Sequence, residues 1–165
     1  MDNDKQRSRT FHWSDPAITA QHAKSMAGID FLLAINKDEF QLPPSLLALG
    51  IPIPEVESGR VTFFFEPMEY HYNPIGCVHG GIITTILDSA MGCTVHSLLP
   101  KGSGYTTLEL KVNFIKAITI QTGMLKAIGK IVHFGGKIVL VEASMIDNSG
   151  VVYAHAVSTC MIFKV

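Results

Sequence analysis

The sequence predicts an α+β fold, a curved antiparallel β-sheet wrapped around one long central helix, with an extra N-terminal helix. Two observations carry this. The first is an almost wholly apolar stretch from about His79 to Leu99, in which Ile82, Ile83, Ile86, Leu87, Ala90 and Met91 recur at three- and four-residue steps. The second is that the chain after Gly104 reads as strand upon strand joined by tight turns. One apolar helix must be covered, and a curved sheet is the economical cover.

The elements follow in order. Residues 1–14 are polar and mixed in charge, and read as a frayed tail. Asp15-Pro16 is an N-cap followed by proline at the first helical position. From there to about Phe40, Ala23, Met26, Ala27, Phe31, Leu32 and Ile35 suit one amphipathic helix, weakened at Gly28. Pro43-Pro44 stops it, and Ser45 to Gly50 reads as a short helical turn with a glycine end. Ile51–Val56 and Arg60–Glu66 read as strands around a Glu57-Ser58-Gly59 turn. A loop from Pro67 to Val78 leads into the central helix, and Pro100 to Gly104 breaks the chain. Tyr105–Lys116, Gly123–His133, Lys137–Asp147 and Val151–Phe163 then read as strands of an antiparallel meander. The turns Phe134-Gly135-Gly136 and Asp147-Asn148-Ser149-Gly150 have hairpin chemistry. The division expected is an extension over 1–44 and one domain over 45–165.

The chain has 165 residues, 47% hydrophobic and 16% charged, which is globular composition and apolar for its size. Such an excess points to surface covered in an oligomer. A net charge of −1 gives no footprint for nucleic acid. Cys77, Cys93 and Cys160 form no paired framework, so a reduced, cytoplasmic setting is the expectation. No signal-like segment opens the sequence. The apolar stretch contains Asp88 and His96, and reads as a core helix, not a membrane span.

Chemistry concentrates in Tyr72 to Asp88. A kinked polar loop feeds Gly80-Gly81, whose bare N–H groups at a helix start suit a carbonyl oxygen or an anion. A carboxylate, Asp88, then sits inside an apolar helix, where it is costly unless used. The run Asn73-Pro74-Ile75-Gly76-Cys77-Val78-His79-Gly80-Gly81, Asp88 eight residues after Gly80, and Gly104 to Leu110 together resemble the hotdog-fold acyl-CoA thioesterases of the phenylacetate-pathway (PaaI) type. Gly129 to Lys137 and Asp147 to Gly150 are also similar. The resemblance covers roughly residues 45–165 and gives the N-terminal helix no chemistry.

The resemblance implies hydrolysis of an acyl-CoA or related thioester, with no cofactor beyond the coenzyme A of the substrate. Asp88 matches the family's carboxylate, as nucleophile or general base. Gly80 matches the glycine whose N–H polarises the thioester carbonyl. Asn73 matches an amide that positions water or carbonyl, His79 shapes the loop or touches the thioester, and Thr106 matches a hydroxyl beside the carboxylate. Gly81, Gly135, Gly136 and Lys137 are expected to bind substrate, the last three a CoA phosphate.

Spacing adds one constraint. Eight residues of helix put Gly80 and Asp88 about 12 Å apart along its axis. Carbonyl polariser and attacking group must each come within about 3 Å of one thioester. The site therefore needs two chains, Gly80 and Asn73 from one and Asp88 and Thr106 from the other. A homodimer is the minimum and a homotetramer the expectation. Strand alternation puts Thr106, Leu108, Leu110, Val112 and Phe114 on the face toward the helix, and Thr107 on the wet face, unless a bulge reverses it.

Plainer readings stand beside these. Asp88 could be a merely hydrogen-bonded helix acid, His79 a cap, Asn73 a turn residue and Thr106 an ordinary strand residue. Gly80-Gly81 could serve packing, and Gly135-Gly136-Lys137 a simple hairpin. His71, His79, His96, His133 and His155 show no HxxxH or HxH spacing, so no metal is expected. No Gly-x-Ser-x-Gly elbow occurs. A non-catalytic acyl-CoA binder on the same fold is the rival function.

Overall fold

The computed structural model describes residues 6–165. The first five residues of the expected tail lie outside that range. The rest of the tail is docked rather than frayed. Arg7 Nε meets Glu69 Oε2 at 2.6 Å. The Arg9 guanidinium donates to the carbonyls of Leu47 and Ala48 and lies 4.4 Å over the Tyr70 ring.

The N-terminal helix expected as one piece is two, α1 (Pro16–Ser25) and α2 (Gly28–Asn36). Met26 is extended, and the Gly28 N–H turns to donate to Leu99 O at 2.9 Å. A Cβ at Gly28 would stand 1.8 Å from His96 O, so only glycine lets α2 start this close to the central helix. Helix α3 (Pro44–Leu49) ends at Gly50 in the left-handed region, φ 67°. Of the strand expected from Ile51, only β1 (Glu55–Glu57) pairs, because Pro52 and Pro54 have no N–H to give a ladder. It pairs with β2 (Arg60–Phe65).

The central helix α4 runs from Gly80 to His96, three residues short of the expected Leu99. Its buried face, including Ile83, Ile86, Leu87, Ala90, Met91 and Val95, lies on the sheet. Strands β3 (Ser103–Phe114), β4 (Leu125–Phe134), β5 (Ile138–Asp147) and β6 (Val152–Lys164) complete that sheet. Strand order is β1-β2-β4-β5-β6-β3, antiparallel throughout. The expected meander therefore holds only for β4, β5 and β6. Strand β3 crosses to the far side of β6 and becomes a sheet edge. Inward residues Phe63, Phe65, Leu125, Ala127, Val141, Ala143, Met145, Ala154 and Ala156 meet α4 in one core.

Two polar contacts set the height of α4 on the sheet. Thr94 Oγ1 donates to Ala90 O and accepts the Val61 N–H at 3.1 Å. Ser97 Oγ accepts the Gly59 N–H at 2.8 Å. Gly129 on β4 is the closest crossing, where a Cβ would stand 2.2 Å from Thr94 Oγ1 and 2.5 Å from Ala90 O.

Strand β3 carries a bulge between Thr107 and Glu109. Leu110 and Val112 turn inward as alternation requires, but the extra residue reverses the face before it. Tyr105 and Thr107 are part-buried, while Thr106 and Leu108 are exposed. The expected placement of Thr106 toward the helix is thereby corrected.

Candidate active site

The loop ahead of α4 is built around two side chains. The buried His71 ring accepts the Met68 N–H on Nδ1 at 3.0 Å, and Nε2 donates to Leu49 O at 2.8 Å. Burial holds its pKa below the usual histidine value, and the Arg9 charge adds to that, while the Leu49 bond works against both. The His71 carbonyl accepts the His79 N–H at 2.8 Å, which aims the chain into the helix start. Asn73 holds the tip of the loop. Its Oδ1 accepts the N–H of Ile75 at 3.1 Å and of Cys77 at 3.3 Å, and its Nδ2 reaches Cys77 Sγ at 3.3 Å.

His79 is the N-cap of α4, and its Nδ1 accepts the Gly81 N–H at 2.9 Å. That bond leaves the ring proton of neutral His79 on Nε2 and consumes the Gly81 donor. The Gly80 N–H has no acceptor among the described residues. It borders a cavity of about 280 Å³ lined by Asn73, Cys77, Gly80, Phe114 and residues 115–118. Phe114 lies against Gly80, where a Cβ would stand 3.1 Å from its ring. A carbonyl oxygen entering this cleft meets an unused N–H at the positive end of a 17-residue helix.

Asp88 stands two turns further along α4, half-buried. Its Oδ1 accepts the Thr107 hydroxyl at 3.0 Å. No cation pairs with it among the described residues. Thr107 is the residue that reading by alternation missed; Leu108 fits the alternation in the sequence, so no local signal marks the bulge. Asp88 also acts on its surroundings. Burial, then the Asp88 charge, pushes the Cys93 thiol up to about 12. Burial first, with Cys93 and Asp88 adding, raises the Tyr105 phenol well above its ordinary value.

The structure thus brings Asn73, Gly80 and Phe114 to one cleft and Asp88 and Thr107 to a second place on the same helix. It does not bring the two together within one chain. Gly135, Gly136 and Lys137 form the β4–β5 turn, closed by the Gly135 N–H to Ile138 O at 2.9 Å. The turn lies at the opposite end of α4, where Gly136 and Lys137 line a cavity of about 570 Å³ shared with Leu98, Leu99 and Pro100. Among the described residues no three His, Cys, Asp or Glu are grouped as a metal would need. None of the described helices is long and apolar enough to cross a membrane.

Residues 75–154 match a family model described as the thioesterase superfamily. A candidate esterase of Halobacterium salinarum is 29% identical over 103 residues, which is 59% of this chain and 66%, about two thirds, of that protein. A candidate thioesterase of Ralstonia eutropha JMP134, a phenylacetic acid degradation-related protein, superposes with a TM-score of 0.71 at 24% identity, over 79% of this chain and 98% of that one. A Streptococcus mutans UA159 protein solved bound to acetyl-CoA superposes with a TM-score of 0.61 at 25% identity, over 69% of this chain and 87% of that one. The matched segment runs from the loop tip through α4, β3, β4 and β5, so it includes Gly80, Phe114, Asp88 and Thr107 but not Asn73. Residues 75–154 are thus similar to the thioesterase superfamily, and the fold is the hotdog fold of these solved structures.

Proposed function

We propose that the chain hydrolyses an acyl-CoA or related thioester to a free carboxylic acid and a thiol, at a site shared by two copies. The observation that carries this reading is Asp88: a carboxylate on an apolar helix, held by one hydroxyl and paired with no cation among the described residues. The match of residues 75–154 to the thioesterase superfamily supports thioester hydrolysis in general. The acetyl-CoA bound by the S. mutans protein supports the acyl-CoA form.

In this mechanism the thioester carbonyl oxygen enters the cleft over Gly80 and accepts its N–H. Asn73 keeps the loop tip in shape beside it. Asp88 of the second copy, oriented by Thr107, attacks the carbonyl carbon or takes a proton from an attacking water. The negative charge that builds on the carbonyl oxygen is stabilised by the Gly80 N–H and the helix end. The C–S bond breaks, the thiolate takes a proton, and water supplies the hydroxyl of the acid. His79 acts as the cap that fixes the helix start, and the Gly135-Gly136-Lys137 turn is the candidate for a CoA phosphate.

The second copy is supported by length and by an open edge. Gly80 and Asp88 on one helix remain about 12 Å apart along its axis. Strand β3, 12 residues long, has a partner on one side only and exposes Leu108 and Phe114 by more than half. Such an edge is a template for a second β3.

The test is thiol release over a panel of acyl-CoA substrates. Native protein releases thiol, and Asp88→Asn lowers kcat by roughly 100-fold or more. Binding of acyl-CoA without thiol release by the native chain points instead to a non-catalytic binder. Native rates in Asp88→Asn overturn the assigned mechanism.

A further inference from the structure

The N-terminal extension has no role in the chemistry above, yet it closes a cavity. About 240 Å³ lies between α1–α3 and the core, walled by Phe31, Leu32, Leu46, Cys93, His96 and Tyr105, among others. We propose that this cavity takes the apolar tail of the acyl group, so that helices α2 and α3 set which acyl groups are accepted. The proposal rests on the thioesterase reading for the identity of the ligand.

Position argues for it first. Asp88, Gly92 and His96 succeed one another at four-residue steps on one face of α4. The Tyr105 ring lies over Gly92, where a Cβ would stand 2.3 Å from its hydroxyl oxygen. Thr107, next along the inward face of β3, holds Asp88. Tyr105, part of the cavity wall, therefore packs on Gly92, one helical turn or about 6 Å along α4 from Asp88, and the α4 part of the wall begins one residue further on, at Cys93. A thioester carbonyl at Asp88 has its acyl tail pointing down this face or out to solvent, and only the first buries it.

The chemistry of the walls agrees. Among the described residues no Asp, Glu, Lys or Arg lines the cavity. His96 is held toward its neutral form by burial, and the Cys93 thiol is pushed up to about 12. At neutral pH the walls carry no charge, which suits alkyl or aryl carbon and rejects the phosphates of CoA. An apolar cavity of about 150 Å³ holds benzene, so this one holds roughly eight to ten carbons. The outer wall is fixed and not a loose flap. Gly28 starts α2 against the end of α4, and the Asn36 amide donates to Pro54 O at 3.0 Å.

The test compares two hydrolysis-resistant thioethers, octyl-CoA and methyl-CoA, by calorimetry on the full chain. Native protein binds the octyl compound at least about tenfold more tightly, the least that burying such a tail contributes. Leu32→Phe fills the cavity from α2 and removes most of that preference. Leu46→Ala enlarges it from α3 and moves the preference toward dodecyl-CoA. Equal binding of the two thioethers by native protein, or an octyl preference unchanged in both variants, overturns the pocket. Should Leu32→Phe melt early, Leu46→Ala decides alone. The readout is independent of turnover. Tail preference without any acyl-CoA hydrolysis sinks the thioesterase reading only, and hydrolysis without tail preference sinks the pocket only.

Discussion

At the scale of single residues, Asp88 and Gly80 were legible because each breaks a local rule. A carboxylate interrupts an apolar helix, and paired glycines open one. Thr107 was not legible. Alternation along β3 assigns the inward hydroxyl to Thr106, and one inserted residue reverses the assignment. Nothing local marks a bulge there, because Leu108 fits the alternation and only the fold exposes it. The two threonines now make opposite predictions. Thr107→Val removes a hydrogen bond to a charged acceptor and lowers kcat by roughly tenfold. Thr106→Val, on the outer face, changes kcat by less than about twofold. Steady-state kinetics on one acyl-CoA separates them, and the reverse order contradicts the placement of Asp88 beside Thr107.

At the scale of elements, the sequence predicts the helix and most strands to within a few residues, because their apolar periods are long and regular. It fails where an element is shaped by a distant neighbour. The break between α1 and α2 is imposed by His96 and Leu99, some seventy residues away. The edge position of β3 depends on a ten-residue crossing whose path has no period to read. Gly129 belongs to the same class, a glycine kept for a close approach. Gly129→Ala places a methyl against Thr94 Oγ1 and the Ala90 carbonyl, and costs about 2–3 kcal/mol. A shift of that size is read in the midpoint of urea unfolding; an unchanged midpoint contradicts the contact between α4 and β4.

The buried His71 and the half-buried His96 tie the loop and the helix end to the stability of the whole fold. Both His71 and His96 have pKa values lowered from the ordinary 6.5, chiefly by burial. The unfolded chain thus takes up protons on both rings below about pH 6.5 while the folded chain does not, so stability falls as pH drops through that window. Among the described residues neither ring nitrogen of His96 has a partner, and the ring packs edge-to-face with Phe31 and beside Tyr105. His96→Phe therefore flattens part of the fall between pH 7 and 5.5 in equilibrium unfolding. A slope identical to that of native protein contradicts a His96 kept neutral by the fold.

At the scale of the molecule, the proposed mechanism requires α4 to serve two sites. In that mechanism its N-terminus gives a carbonyl clamp to one, and its middle gives a carboxylate to the other. Apolar excess, an unpaired β3 edge and the length of the helix all lead to the same pairing of copies. The most direct measurement mixes two inactive chains. Gly80→Pro removes the unused N–H at a position where proline is tolerated in a helix, and Asp88→Asn removes the carboxylate. Each variant alone is predicted to be inactive. In a mixed dimer, one site collects both substitutions and the other is native. Equal amounts allowed to exchange subunits therefore regain about a quarter of native thiol release. Mixtures that stay as inactive as the separate variants, with subunit exchange confirmed, contradict a site shared between two chains.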